Sequence, residues 1–139
     1  MWVPTHNVRG SDVGHNENDV ERPLPGRPVR GSDTGRPMMA ALDLFGRRWA
    51  LRIVWELRFG KSRFSDLRKD IEGISSSTLS QRLSELTAAH IVTQSADGAY
   101  RLSYQGKALL IALGPLELWA KTWAKAVRDD SGEGSADQA

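Results

Sequence analysis

Five residues close together carry the clearest recognition chemistry: Ser76, Ser77, Thr78, Ser80 and Gln81. A hydroxyl can donate or accept, and a glutamine amide does both, so it can pair bidentately with adenine. Arg63, Arg82 and Arg101 accompany this group. Cations of that kind grip phosphates, while uncharged donors and acceptors read base edges. The amide N–H groups of a helix's first turn also attract a docked anion. The same side chains equally suit a polar face that meets only water, and residue types alone do not separate the two.

The cations divide by task. Arg63 precedes a short helix and is placed to reach a phosphate. Arg68 and Lys69 lie on that helix's outer side, and Arg101 belongs to a hairpin, where backbone or minor-groove contact is expected. Arg82 is open between a phosphate contact and a pairing with Glu85 or Asp66 that fixes two helices.

The overall charge of +2 is unevenly spread. Residues 36–128 hold 15 Lys or Arg against 8 Asp or Glu, a net of +7, and residues 129–139 hold four acids and no base. A basic middle favours a polyanionic partner, although ordinary solubilising charge accounts for it too. With no cysteine, disulfides, thiol nucleophiles and Cys-based zinc sites are excluded for this chain. His6 and His15 fall in a polar tail, and His90 has no acid at ligand spacing, so no metal site is expected. Neither a GxGxxG nor a GxxxxGK[ST] loop occurs, and no nucleophile–base pair stands out. Asp66, Asp70 and Glu72 suit a solvated helix end. No enzyme and no cofactor are expected. No secretory signal or apolar run of about 18 residues is visible, so the expectation is a cytoplasmic protein without membrane contact.

The positioning elements follow from periodicity. Residues 1–35, with four prolines and few large apolar side chains, are expected to be a disordered tail. It echoes itself at Arg9–Gly14 and Arg30–Gly35, too few copies for a repeat architecture. Met38, Leu42 and Phe45 mark a first helix behind Pro37, ended by Gly46. A second, from about Trp49 to Arg58, buries Trp49, Ile53 and Leu57, with Gly60 as its stop. A third carries Phe64, Leu67 and Ile71, with Ser62 as a candidate cap, and Gly73 supplies the following turn.

Ser75 then caps a fourth helix to about Ala89, whose buried stripe is Leu79, Leu83 and Leu86. At ~100° per residue, Ser77, Gln81 and Ser84 face away from that stripe. Ile91–Ser95 and Ala99–Ser103 form a hairpin around Asp97-Gly98. Ser103 can cap a helix through Leu109, Leu110 and Leu113, which Gly114-Pro115 is expected to break or kink. A last helix carries Leu116, Trp119, Trp123 and Val127, and residues 129–139 are expected to be an acidic disordered tail. The fold class is thus mainly α with a small β-hairpin: a winged helix-turn-helix, whose second helix enters the major groove, with helical extensions at both ends. Met38, Leu42, Phe45, Leu116, Trp119 and Trp123 are expected to form a two-fold interface, making a homodimer. An effector pocket lined by two of Trp49, Trp55, Trp119 and Trp123 is the alternative use of the tryptophans.

The segments ALDLFGRRWALRIVWEL (Ala41–Leu57), RFSDLRKDIEGIS (Arg63–Ser75), TLSQRLSEL (Thr78–Leu86) and LSYQGKALL (Leu102–Leu110), with Trp119 beyond them, resemble the HxlR family of winged helix-turn-helix regulators, relatives of the MarR type. The resemblance spans roughly residues 36–125. It implies a homodimer joined by the first and last helices as dimerisation helices, bound to double-stranded DNA at a pseudo-palindromic operator. Half-sites of that kind lie about one helical turn apart, ~10 bp, or a multiple of it. Two features depart from the family pattern. Many members carry a sensing cysteine just before the first helix, where this chain has Arg36-Pro37, so thiol sensing is excluded here. The hairpin is also shorter than the usual wing. The leading expectation is a repressor acting by operator occlusion; the alternative is a winged-helix protein-interaction module without DNA binding. An effector and its identity stay open.

Overall fold

A computed structural model of the chain describes residues 23–29 and 35–136, with side chains as far as Gly132. Helix α1 (Pro37–Gly46) begins with proline in its first turn, where the missing N–H has no intrahelical partner to lose. Ala40 and Leu44 form its buried side, Phe45 is half-buried against the core, and Met38 and Leu42 face out. Helix α2 (Ala50–Glu56) follows a tight connection in which Trp49 takes a left-handed conformation (φ 78°), a strained one for a bulky residue. Trp49 is therefore the residue before the helix, and Ala50, Ile53 and Val54 are the helix's buried positions.

Helix α3 (Phe64–Asp70) and helix α4 (Ser76–Ala88) enclose the turn at Gly73, whose φ of +87° suits glycine. Ser75 caps α4 as expected: its side chain accepts the Thr78 backbone N–H at 3.1 Å. Leu79, Leu83 and Leu86 are fully buried and meet Ile53, Leu67 and Ile71 in one core. Ser62 does not cap α3. Its backbone exchanges both hydrogen bonds with Tyr100 (2.9 and 2.8 Å), adding a bridge to the hairpin edge and leaving Arg63 as the uncapped lead residue.

The hairpin pairs β1 (Val92–Gln94) antiparallel with β2 (Tyr100–Leu102), in the register Val92↔Leu102, Thr93↔Arg101 and Gln94↔Tyr100. Val92 and Leu102 point into the core while Arg101 is exposed, as alternation requires. Gly98 closes the turn at φ +87°, donating to the Ser95 carbonyl at 2.9 Å.

Beyond the hairpin the expected break is absent: one helix, α5, runs Tyr104–Ala136 with Pro115 inside it. Ser103 starts it, its hydroxyl accepting the Gly106 N–H at 3.1 Å. Proline's fixed φ fits a helix, and its cost is a lost bond to the Ile111 carbonyl. Ile111 and Ala112 are exposed, so water can satisfy that oxygen. The helix also continues past the boundary expected at 129. At the other end, Pro23 and Val29 are buried and Gly26 N–H donates to the Gly35 carbonyl at 2.9 Å. Packing therefore begins within the expected 1–35 tail. His6, His15 and all but Gly35 of the two echoed hexapeptides lie outside the described residues.

Candidate nucleic-acid interface

The capped start of α4 sets an exposed, hydroxyl-bearing surface. Ser76, Ser77, Ser80 and Gln81 are exposed, and Thr78 is half-buried at the edge of that face. The Ser75 hydroxyl donates to Thr78 Oγ1 (2.9 Å) and stands 3.3 Å from Ser77 Oγ, which joins three hydroxyls at the helix start. Gln81, one turn on from Ser77, donates through Nε2 to Glu85 Oε1 at 3.4 Å.

Arg63 and the hairpin tip are brought together. The exposed Arg63 guanidinium donates to the Asp97 carbonyl at 3.3 Å, and Lys61 Nζ lies 3.4 Å from Asp97 Oδ2. The Ser95 hydroxyl, then the Ala99 N–H, hold the Asp97 carboxyl down to about 2 against an opposing desolvation, with Lys61 adding a lesser pull in the same direction as the hydrogen bonds. Arg101, also exposed, donates through Nε to the cross-strand Thr93 hydroxyl at 3.2 Å. Cations therefore stand on both the α3 entry and the hairpin, the two elements beside α4 in this fold.

Arg82 is turned to a different use, which corrects its expected place among the DNA contacts. Its Nε donates to the Arg48 carbonyl at 2.9 Å, and its Nη1 reaches both Glu85 oxygens at 3.1 and 3.3 Å. The reason is the buried Glu85 carboxylate, which also accepts from Arg47 Nη1 at 2.8 Å. A buried carboxylate needs paired cations, and these two guanidiniums lie within reach. Asp43 flanks Arg47 at 3.6 Å, an ion pair too long for a hydrogen bond. The Glu85 pairing was one of two roles open to Arg82 from the sequence; the Asp43–Arg47 arm was not foreseen. The i,i+4 spacing of Asp43 and Arg47 is a local signal for that pair, whereas the bond from Arg47 to Glu85, 38 residues away, has none.

The expected interface residues Met38, Leu42, Leu116, Trp119 and Trp123 are all exposed in the single chain, whereas Phe45 is half-committed to the core. Trp119 and Trp123 stack with centroids 5.5 Å apart while each remains 56% exposed. Val127 extends this apolar surface along α5, while Leu118 is exposed on another side of the helix. A cavity of about 780 Å³ lies between the end of α2, the hairpin and the start of α5; its walls include Arg58, Lys61, Arg101 and Lys107, and no tryptophan. Among the described residues, no group of three or more His, Cys, Asp or Glu is placed to hold a metal ion, and no helix is long and apolar enough to cross a membrane.

The HxlR-like helix-turn-helix model matches residues 44–128. The chain is 34% identical over 89 residues to the uncharacterized HTH-type transcriptional regulator YvaP of Bacillus subtilis, covering 60% of this chain and 82% of that one. It is 38% identical over 95 residues to the HTH-type transcriptional regulator Rv3095 of Mycobacterium tuberculosis, covering 64% of this chain but only 57% of that one. Among solved structures, quinone-bound YodB from B. subtilis is similar at 33% identity and a TM-score of 0.59, covering 61% of this chain and 96% of that one. A possible HxlR family transcriptional factor from Thermoplasma volcanium is similar at 29% and 0.55, covering 61% and 82%. With its helix order, two-stranded hairpin and hydroxyl-lined α4, the chain belongs to the HxlR-like helix-turn-helix family of DNA-binding transcriptional regulators.

Proposed function

We propose that this regulator is a cytoplasmic homodimeric repressor that covers a pseudo-palindromic operator in double-stranded DNA. The observation that carries the reading is the exposed start of α4, with Ser76, Ser77, Ser80 and Gln81 outward and Thr78 at its edge. Ser77 and Gln81 contact base edges, while Arg63 and Arg101 hold the phosphate backbone. Dimerisation joins α1 and α5 of two copies through Met38, Leu42, Leu116, Trp119 and Trp123, with Phe45 at its inner edge. The exposure of these large apolar side chains in the single chain supports that use. Two α4 helices then enter major grooves at half-sites one helical turn, ~10 bp, or a multiple of it apart. YodB has been solved with quinone bound; a small-molecule effector of this chain would act without thiol chemistry, since it contains no cysteine.

The test is binding to the DNA upstream of the chain's own gene across a salt series. Sequence preference is expected to persist as salt rises, with Gln81→Ala relaxing it. Arg63→Ala or Arg101→Ala is expected to weaken all sequences alike and to reduce the salt slope by about one. Absence of binding to any duplex at low salt would overturn the proposal.

A further inference from the structure

Resting on the DNA-reading role of α4, we propose that the buried Glu85 determines the base preference of Gln81 by fixing which end of its amide faces the DNA. Glu85 Oε1 accepts from Gln81 Nε2 at 3.4 Å, one helical turn away. As a carboxylate, Glu85 offers acceptors only, so only the NH₂ end of the glutamine can face it. A glutamine on an open helix face turns its amide over at no cost and presents either end. Here the amide oxygen is directed to the opposite side, and one N–H remains beside it.

That pair of groups selects among bases. Adenine presents an N6 donor to the outward oxygen and an N7 acceptor to the remaining N–H, and cytosine presents its N4 donor to the oxygen alone. Guanine presents two acceptors, N7 and O6. Matching both would take both glutamine N–H groups, one of which Glu85 holds. The position read by Gln81 therefore favours adenine or cytosine over guanine.

Glu85 can impose this because other elements hold it still. Arg47, at the end of α1, donates to Oε1 at 2.8 Å, and Arg82 reaches both oxygens while itself bonded to the Arg48 carbonyl at 2.9 Å. The Glu85 and Arg47 side chains are 4% and 7% exposed, so salt screens this clamp far less than it screens the phosphate contacts. Glu85 touches no DNA; it is a positioning residue acting through Gln81.

The experiment is selection from a randomised duplex library by the full chain, comparing the unchanged protein, Glu85→Ala, Gln81→Ala and the double variant. The unchanged protein is expected to favour A or C at the position that Gln81→Ala relaxes. Glu85→Ala, which removes the acceptor facing Gln81, is expected to reduce that preference roughly tenfold, the scale of one bidentate base contact. Preference elsewhere in the site is expected to stay, and Glu85→Ala to have no further effect in the Gln81→Ala background. A scaffold role alone would instead weaken every position together. Glu85→Asp keeps the charge for Arg47 and Arg82 but withdraws it from Gln81, so it is expected to show the same loss and serves if Glu85→Ala does not fold. Selective binding with the preference retained in these variants, or a wild-type preference for G at that position, would refute the inference alone. Failure of the unchanged protein to bind any duplex would refute the DNA-reading assignment beneath it as well.

Discussion

Gly106→Ala is a severe test of how α5 is seated. In an unhindered helix this change stabilises by about 1 kcal/mol, because alanine loses less backbone freedom. At position 106 the added Cβ would stand 2.2 Å from the Ile91 carbonyl oxygen and 3.1 Å from both Cβ and Cδ2 of Leu102. A carbon–oxygen contact normally rests at ~3.3 Å or more, so the overlap is about 1.1 Å. The Ile91 oxygen cannot swing aside without loss, since it accepts both the Ser103 N–H (2.9 Å) and the Ser103 hydroxyl (3.0 Å). Relief must come from α5 lifting away from the hairpin. Overpacking of this kind costs about 1–3 kcal/mol and more when backbone must move. Against the helix-propensity gain, a net loss of about 2 kcal/mol is expected. With a urea slope of ~1–3 kcal/mol/M, the unfolding midpoint should fall by roughly 1 M. Tryptophan fluorescence at equal protein concentration reads it, since association would shift the midpoint too. An unchanged or raised midpoint would refute this account of how α5 meets the hairpin.

Three further outcomes are expected. Ser75→Ala removes the acceptor for the Thr78 N–H and should cost about 1 kcal/mol in denaturant unfolding, with Ser75→Asp restoring most of it; no change would mean the cap contributes nothing. Trp119→Ala should shift dimer toward monomer in sedimentation, whereas an unaltered mass would count against the proposed interface. The Asp97 carboxyl, held down from 3.8 to about 2, should show its NMR titration midpoint near the lower value. Its pKa is depressed in the folded state, so its contribution to stability is present above about 3.8 and is lost as pH falls through about 2. Asp97→Asn should remove that component of the acid response, and a midpoint near 3.8 would disprove the hydrogen-bonded turn.

What the sequence made legible was local. The Leu79, Leu83 and Leu86 stripe, the caps at Ser75 and Ser103 and the Asp97-Gly98 turn all depend on residues within a few positions of one another. Each was in place in the structure. The rest turned on distant partners. Ser62 has the composition of a cap, but Tyr100 claims its backbone from across the hairpin. Glu85 lies off the leucine stripe of α4, and its buried carboxylate is met by Arg47 from the end of α1, which α4 alone cannot reveal. Pro115 signals a break by type, yet a helix in water can lose one bond and continue. The inward faces of Pro23 and Val29 carry no periodic signal, so their packing was hidden in a proline-rich stretch. Among the candidate contacts, the outward placement of Ser77 and Gln81 was readable from angle alone, whereas Arg82 was decided by the carboxylate beside it.

If two copies join through α5 as proposed, the unbroken run of that helix would act as a ruler for DNA. In a dimer joined near Trp119 and Trp123, the first turn at Tyr104 is the end that carries the reading unit. Eleven residues separate it from Pro115, about 17 Å at 1.5 Å per residue. A bend of roughly 10° at that missing hydrogen bond would displace the reading end by about 3 Å, close to the ~3.4 Å step of one base pair. In that proposed assembly a single proline in the shaft would set how finely the spacing between half-sites can be adjusted, with no side chain there touching the duplex.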